Sequence, residues 1–133
     1  MDFVIRRAKP EDRGFIFRAW KESHHRSDEG RFLGPYYFAT MKARIARVLD
    51  DSRTRVSTAH VVDNEDAILA MSVSRGDLLH YVYVREEARG FGIAKALIAP
   101  LGIKAYDHRP QRGASNIPAD WAYLPELLTH AAA

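Results

Sequence analysis

Apolar positions along this chain switch between two periods. Residues 3–8, Phe-Val-Ile-Arg-Arg-Ala, read as a first strand. Pro10, Glu11 and Asp12 follow, a turn and helix start whose acidic side chains suit the positive end of a helix dipole. Phe15, Ile16, Ala19 and Trp20 then recur at helical spacing, so a first helix is predicted over residues 11–23. Residues 24–35 are polar, with two glycines and a proline, and read as a loop. In a second predicted helix, residues 36–49, Tyr37, Met41, Ile45 and Val48 or Leu49 share one face. Lys42, Arg44 and Arg47 lie mostly on the other, as a solvated surface.

After Asp50-Asp51-Ser52 the period falls to two. Strands are predicted over residues 55–62, 67–74 and 78–84, with turns at Asn64-Glu65-Asp66 and Arg75-Gly76-Asp77. Short polar turns make these an antiparallel meander. The Arg-Gly-Asp triplet is accounted for as a glycine-containing hairpin turn. A glycine-rich segment then opens a helix from near Gly92 to about Pro100, which has no N–H to donate. Gly102 suits the exit, and residues 103–106 read as a last buried strand. The tail, residues 107–133, carries Pro110, Pro118 and Pro125, and only residues 123–130 look helical. The order is β-α-α-β-β-β-α-β, a single α/β (α+β) domain over residues 1–133. Its central sheet is mixed if the strands flanking the last helix run parallel.

Composition narrows the class. A chain of 133 residues with 47% hydrophobic and 28% charged residues supports one core and an ordinary soluble surface. No apolar run is long enough to cross a bilayer, and residues 1–13 have no signal-peptide core, so no membrane partner and a cytoplasmic location are expected. The absence of cysteine removes disulfides, thiolate metal sites and a catalytic thiol. The net charge of +3 is mild, and basic and aromatic residues do not interleave on one element, so nucleic acid is not an expected partner. Adjacent His24 and His25 would point apart on a helix and find no third ligand at useful spacing, so no metal is expected.

The junction after the third meander strand carries the chemistry. Tyr81-Val82-Tyr83-Val84 is apolar; Arg89-Gly90-Phe91-Gly92-Ile93-Ala94-Lys95 follows, and a helix begins. The first amides of a helix lack internal acceptors, and glycine lets a ligand approach the backbone closely. The turn is therefore suited to a phosphate or pyrophosphate. It is not a dinucleotide fingerprint, since Lys95 stands where the third glycine belongs.

Residues 89–94 fit the R/Q-x-x-G-x-G/A signature, and the chain resembles the GNAT N-acetyltransferases over residues 3–106, element order included. Residues 19–23 and 79–84 resemble small phage-encoded members. The resemblance implies an acetyl-CoA cosubstrate whose pyrophosphate meets the backbone N–H groups of Arg89, Gly90, Phe91, Gly92, Ile93, Ala94 and Lys95. The pantetheine arm would pair along Val82, Tyr83 and Val84 where the fourth and fifth strands part, and the Val82 N–H would polarise the thioester. It further implies direct acetyl transfer to a primary amine of a small molecule or protein.

Family members often place a carboxylate base on the fourth strand. Alternation puts Leu78, His80, Val82 and Val84 on the corresponding face, where His80 is the one titratable group and so the candidate base. The alternative is a histidine hydrogen-bonded within the sheet. Tyr123 is the candidate acid, with Tyr106 a second choice; aromatic packing of the tail is the alternative. The acceptor would lie near Glu22, His24, His25, Arg26, Asp28, Glu29, Arg31, Tyr36 and Tyr37. The short tail departs from the family pattern, leaving part of the cleft absent or supplied by a second copy in a homodimer. A non-catalytic interaction protein retaining the fold, with or without CoA, is the competing expectation.

Overall fold

The structure is a computed structural model that describes residues 2–26, 32, 34–108 and 117–124. Strand β1 (Phe3–Arg7) leads through a 3₁₀ turn (Pro10–Asp12) into helix α1 (Arg13–Arg26), followed by helix α2 (Pro35–Asp50). The meander is β2 (Thr54–Val61), β3 (Asn64–Arg75) and β4 (Leu78–Val84). Helix α3 (Ile93–Ile98) ends in a 3₁₀ turn (Ala99–Leu101), and two short strands follow, β5 (Ala105–Tyr106) and β6 (Ala122–Tyr123). The sheet order is β1-β2-β3-β4-β5-β6. The first four strands are antiparallel; β5 is parallel to β4, and β6 to β5. The connection through α3 is thus the crossover that parallel pairing demands.

The apolar stripes account for the layers. Ile16 and Trp20 of α1 and Ile45 and Val48 of α2 pack on Met71, Val73 and Tyr81 on one sheet face. Trp20 stacks on Tyr81, with ring centroids 5.8 Å apart and planes 4° apart. On the other face, Ile93 and Leu97 of α3 pack on Ala59, Leu69 and Ala70. Each large side chain taken from water here contributes about 1.5–3 kcal/mol. With helices on both faces, β3 is buried along most of its length, so it lacks the clean alternation of a half-exposed strand.

Several expectations are corrected. The β2–β3 turn is at residues 62–63, with Asp63 at φ 68°, and Asn64-Glu65-Asp66 belongs to β3. The strand predicted over residues 103–106 is paired only at Ala105 and Tyr106. Tyr123 is in a strand, where it pairs with Tyr106, not at the start of a helix; the rest of the predicted helix lies outside the described residues. Arg44, assigned by sequence to the solvated face of α2, is 3% exposed. Its spacing explains this: it lies three residues after Met41 and four before Val48, on the core stripe itself.

Candidate active site

Strand β5 pairs with β4 only at Leu78 and Leu79, whereas β3 follows β4 to Val84. From His80 onward the β5-facing edge of β4 has no strand beside it among the described residues. Backbone polarity along that edge follows from one hydrogen bond: the Arg85 N–H donates to the Leu69 carbonyl on β3 at 2.9 Å. Alternation then turns the polar backbone groups of Tyr83 and Tyr81 toward β3, and those of Val84 and Val82 toward the parting. The Val84 carbonyl already accepts a bond from Arg89 Nε at 3.2 Å.

Beyond Val84, a 3₁₀ turn (Glu86–Ala88) leads to Gly90 and Gly92 at φ 85° and 76°. L side chains rarely adopt this conformation, and a Cβ added at either glycine would meet nothing within 4 Å, so both face open space. The Arg89 N–H is spent on the Glu86 carbonyl at 3.3 Å, which removes Arg89 from the expected set of amide donors. From Gly90 to Lys95 no backbone N–H has a protein acceptor among the described residues; the first helical bond is Ala96 N–H to the Gly92 carbonyl at 3.0 Å. Unpaired amides beside an unpaired strand edge form a cradle able to meet an anion at one end and an amide-bearing chain along the other.

Behind the parting is a buried ionic cluster that joins three elements. The Asp107 carboxylate accepts a bond from Arg44 of α2 at 2.9 Å and meets His80 Nδ1 of β4 at 2.7 Å. The three side chains are between 0% and 3% exposed. His80 Nε2 is buried with no hydrogen-bond partner among the described residues. The β3–β4 register slips between Val73 and Ser74, so Leu79 and Tyr81 are the paired residues and His80 is extra. Alternation therefore fails at that point. His80 joins Trp20 on the α1/α2 side, with ring centroids 6.1 Å apart.

Solved structures share this architecture. A putative acetyl transferase from Pyrococcus furiosus matches with a TM-score of 0.60 at 15% identity, over 86% of this chain and 88% of that one. The ribosomal-protein-alanine N-acetyltransferase from Brucella melitensis biovar Abortus 2308 gives 0.59 at 15% identity, over 92% of this chain and 97% of that one. This chain has a GNAT-type fold. Apo-form YjaB from Escherichia coli gives 0.53 at 20% identity over 76% of this chain, which spans 65% of YjaB's length. No protein-family model matches the sequence, and no curated protein matches it.

Within this GNAT-type fold the two expected proton-transfer residues do not meet. Asp107 reaches His80 on the α1/α2 side, so the preceding residue, Tyr106, points to the opposite face. Tyr123 lies in register beside Tyr106, ring centroids 5.1 Å apart. His80 is therefore on the face opposite Tyr123, not on that of Val82 and Val84 as alternation predicted. Sequence reading also missed Arg44 and Asp107. The former was legible in the spacing of α2, whereas the latter carried no local signal.

In the expected acceptor region, His24 is buried on α1 with its Nδ1 2.9 Å from the Tyr37 hydroxyl, and its ring is 4.4 Å from that of His108. It belongs to the interior, not to a loop. Asp28, Glu29 and Arg31 lie outside the described residues, as do the side chains of His25 and Arg26. Glu22 and Arg18 of α1 border a shallow cleft of about 180 Å³ with Phe15, Ala19 and Tyr83. Tyr83 sits between the two β4 residues whose backbone faces the parting. No group of three metal-ligating side chains occurs among the described residues. No described helix is long and apolar enough to cross a membrane.

Proposed function

We propose that this protein is an acetyl-CoA-dependent N-acetyltransferase acting on a primary amine. One observation carries the reading: unpaired amides from Gly90 to Lys95 adjoin the edge of β4 that β5 leaves open. The cradle takes the diphosphate, and the edge at Val82 and Val84 takes the amide-bearing arm. The neutral amine attacks the thioester carbonyl carbon while the Val82 N–H donates to the carbonyl oxygen as negative charge develops there. The C–S bond then breaks, the sulfur keeps the electron pair, and the proton lost by the amine passes through solvent to the thiolate. Because a thioester is already activated, catalysis rests mainly on positioning. His80 and Tyr123 enter this reading as neither base nor acid. The cleft bordered by Glu22 and Tyr83 is the approach for a cationic acceptor, which loses its proton on binding.

The test is thermal stabilisation by acetyl-CoA together with CoA release over a panel of primary amines, the acetylated products being read by mass spectrometry. Neither stabilisation nor release at millimolar acetyl-CoA would refute the proposal. A second reading, a non-catalytic interaction protein, is favoured by one feature: Arg89 holds the Val84 carbonyl that an incoming arm needs. Stabilisation by CoA with no product from any amine supports that second reading.

A further inference from the structure

A separate concavity lies at the other end of β4, where β3 turns into it. Its volume is about 320 Å³, and it is bordered by Arg7, Arg53, Arg55, Ser74, Gly76 and Pro100, with no acidic side chain among the described residues that line it. The register shows how the sheet builds it. Arg7 of β1 stands opposite Ser57, and Arg55, two residues before Ser57 on β2, stands opposite Ser74 of β3. Arg7 and Arg55 are thus diagonal neighbours on one face, their Cβ atoms roughly 7–8 Å apart. Ser57, Ser72 and Ser74 are all buried, and small side chains here let the surface sink between the arginines.

The charges are unevenly committed. Arg53 is paired with Asp51 at 2.7 Å, and its hydrogen bonds hold that half-buried carboxyl well below the usual range. The Arg7 and Arg55 guanidinium groups have no acceptor among the described residues. Ser74 borders the concavity and is 2% exposed. Two unneutralised guanidinium groups on one face beside the Ser74 hydroxyl match a tetrahedral oxyanion, which accepts several charge-assisted bonds at once. The site is distinct from the acetyl-CoA cradle, since Leu78 and Val84 are separated by roughly 20 Å of extended strand.

We propose that the concavity between Arg7, Arg55 and Ser74 is a second site, for the phosphate group of a phosphorylated small molecule. Its size leaves room for little beyond the phosphate and one ring, which disfavours a polymer.

The experiment is a titration of the full ¹⁵N-labelled chain with inorganic phosphate and with phenyl phosphate, at ionic strength held constant with sodium chloride. Saturable shifts at the amides of Ser52, Arg53, Thr54, Arg55 and Gly76 are expected. They should weaken at least tenfold in an Arg7→Gln/Arg55→Gln variant and persist in Gly92→Asp. Ser74→Ala, which removes only a hydroxyl, should weaken them several-fold, and Arg55→Lys should weaken them despite keeping the charge. Absence of saturable shifts at those amides would overturn the proposal. So would equal shifts from chloride alone, or unchanged binding in the double variant. A short single-stranded oligonucleotide that shifts these amides when phenyl phosphate does not would overturn it in favour of nucleic acid. The amides of Gly90 to Lys95 respond separately, so failure of this site and failure of the acetyltransferase reading are told apart in one spectrum.

Discussion

Replacing Asp107 with asparagine removes the carboxylate on which a buried guanidinium and a buried imidazole converge. Arg44 Nη2 lies 2.9 Å from it and His80 Nδ1 lies 2.7 Å from it. At an effective dielectric of about 20, unit charges at the Arg44 separation attract by about 4–6 kcal/mol. The whole pair is worth less than this, because both ions lost water on burial. Removing one partner is a different perturbation: the Arg44 guanidinium stays buried without this carboxylate, which costs about 3–5 kcal/mol. With an unfolding entropy near ~2.1 cal/mol/K per residue over a chain of this length, each kcal/mol lowers Tm by roughly 3.5 °C. Asp107→Asn should therefore lower Tm by roughly 10–18 °C in scanning calorimetry. Arg44→Met removes that cation, so the double variant should cost about 2–3 kcal/mol less than the sum of the singles in urea unfolding. A Tm loss below about 3 °C for Asp107→Asn, or additivity within about 0.5 kcal/mol, refutes the view that this cluster ties α2 to the sheet.

At a hundredfold excess over Kd, acetyl-CoA should stabilise the protein by about 2.7 kcal/mol, roughly 9 °C in Tm. Gly92→Asp should erase that shift, whereas Gly92→Asn, with the same backbone strain but no charge, should retain part of it; equal shifts in both would rule out an anion cradle. Tyr123→Phe should leave kcat within about twofold, because the ring packs at a tilt beside Tyr106, away from the buried histidine; a tenfold loss would restore Tyr123 as an acid. Trp20→Ala should cost about 3–5 kcal/mol in urea unfolding, because the ring is 1% exposed and stacked on Tyr81. Burial pushes the Asp12 carboxyl up, but hydrogen bonds from the Arg6 guanidinium and the Lys9 amide outweigh it and hold the pKa below its usual value. Its stabilisation is therefore complete above the unfolded value near ~4 and fades as pH falls through the lower folded value. The urea midpoints of wild type and Asp12→Asn should differ at pH 7 and converge toward pH 2; a gap that stays constant would exclude this linkage.

Local spacing was enough to place most elements. The stripes Ile16–Trp20 and Met41–Ile45–Val48 mark the two helices because a 3.6-residue period puts them on one side whatever they pack against. Strand β4 was legible to both of its ends, Leu78 and Val84, and Gly90 and Gly92 beyond its exit told of a backbone that only glycine adopts readily. Tertiary structure decided the rest. A single extra residue, His80, breaks the two-residue alternation and moves that side chain to the other face, and nothing near it in sequence signals the slip. Asp107 looked like the start of an irregular tail, yet it lies between Arg44 and His80, distant in sequence and adjacent only after the sheet and α2 close on each other. Tyr123 looked helical by composition but pairs as a strand, because the neighbouring β5 edge offers backbone partners. The parting of β4 from β5 is likewise invisible in either strand alone: it is a property of how many residues the pair shares, and long-range pairing fixes that number.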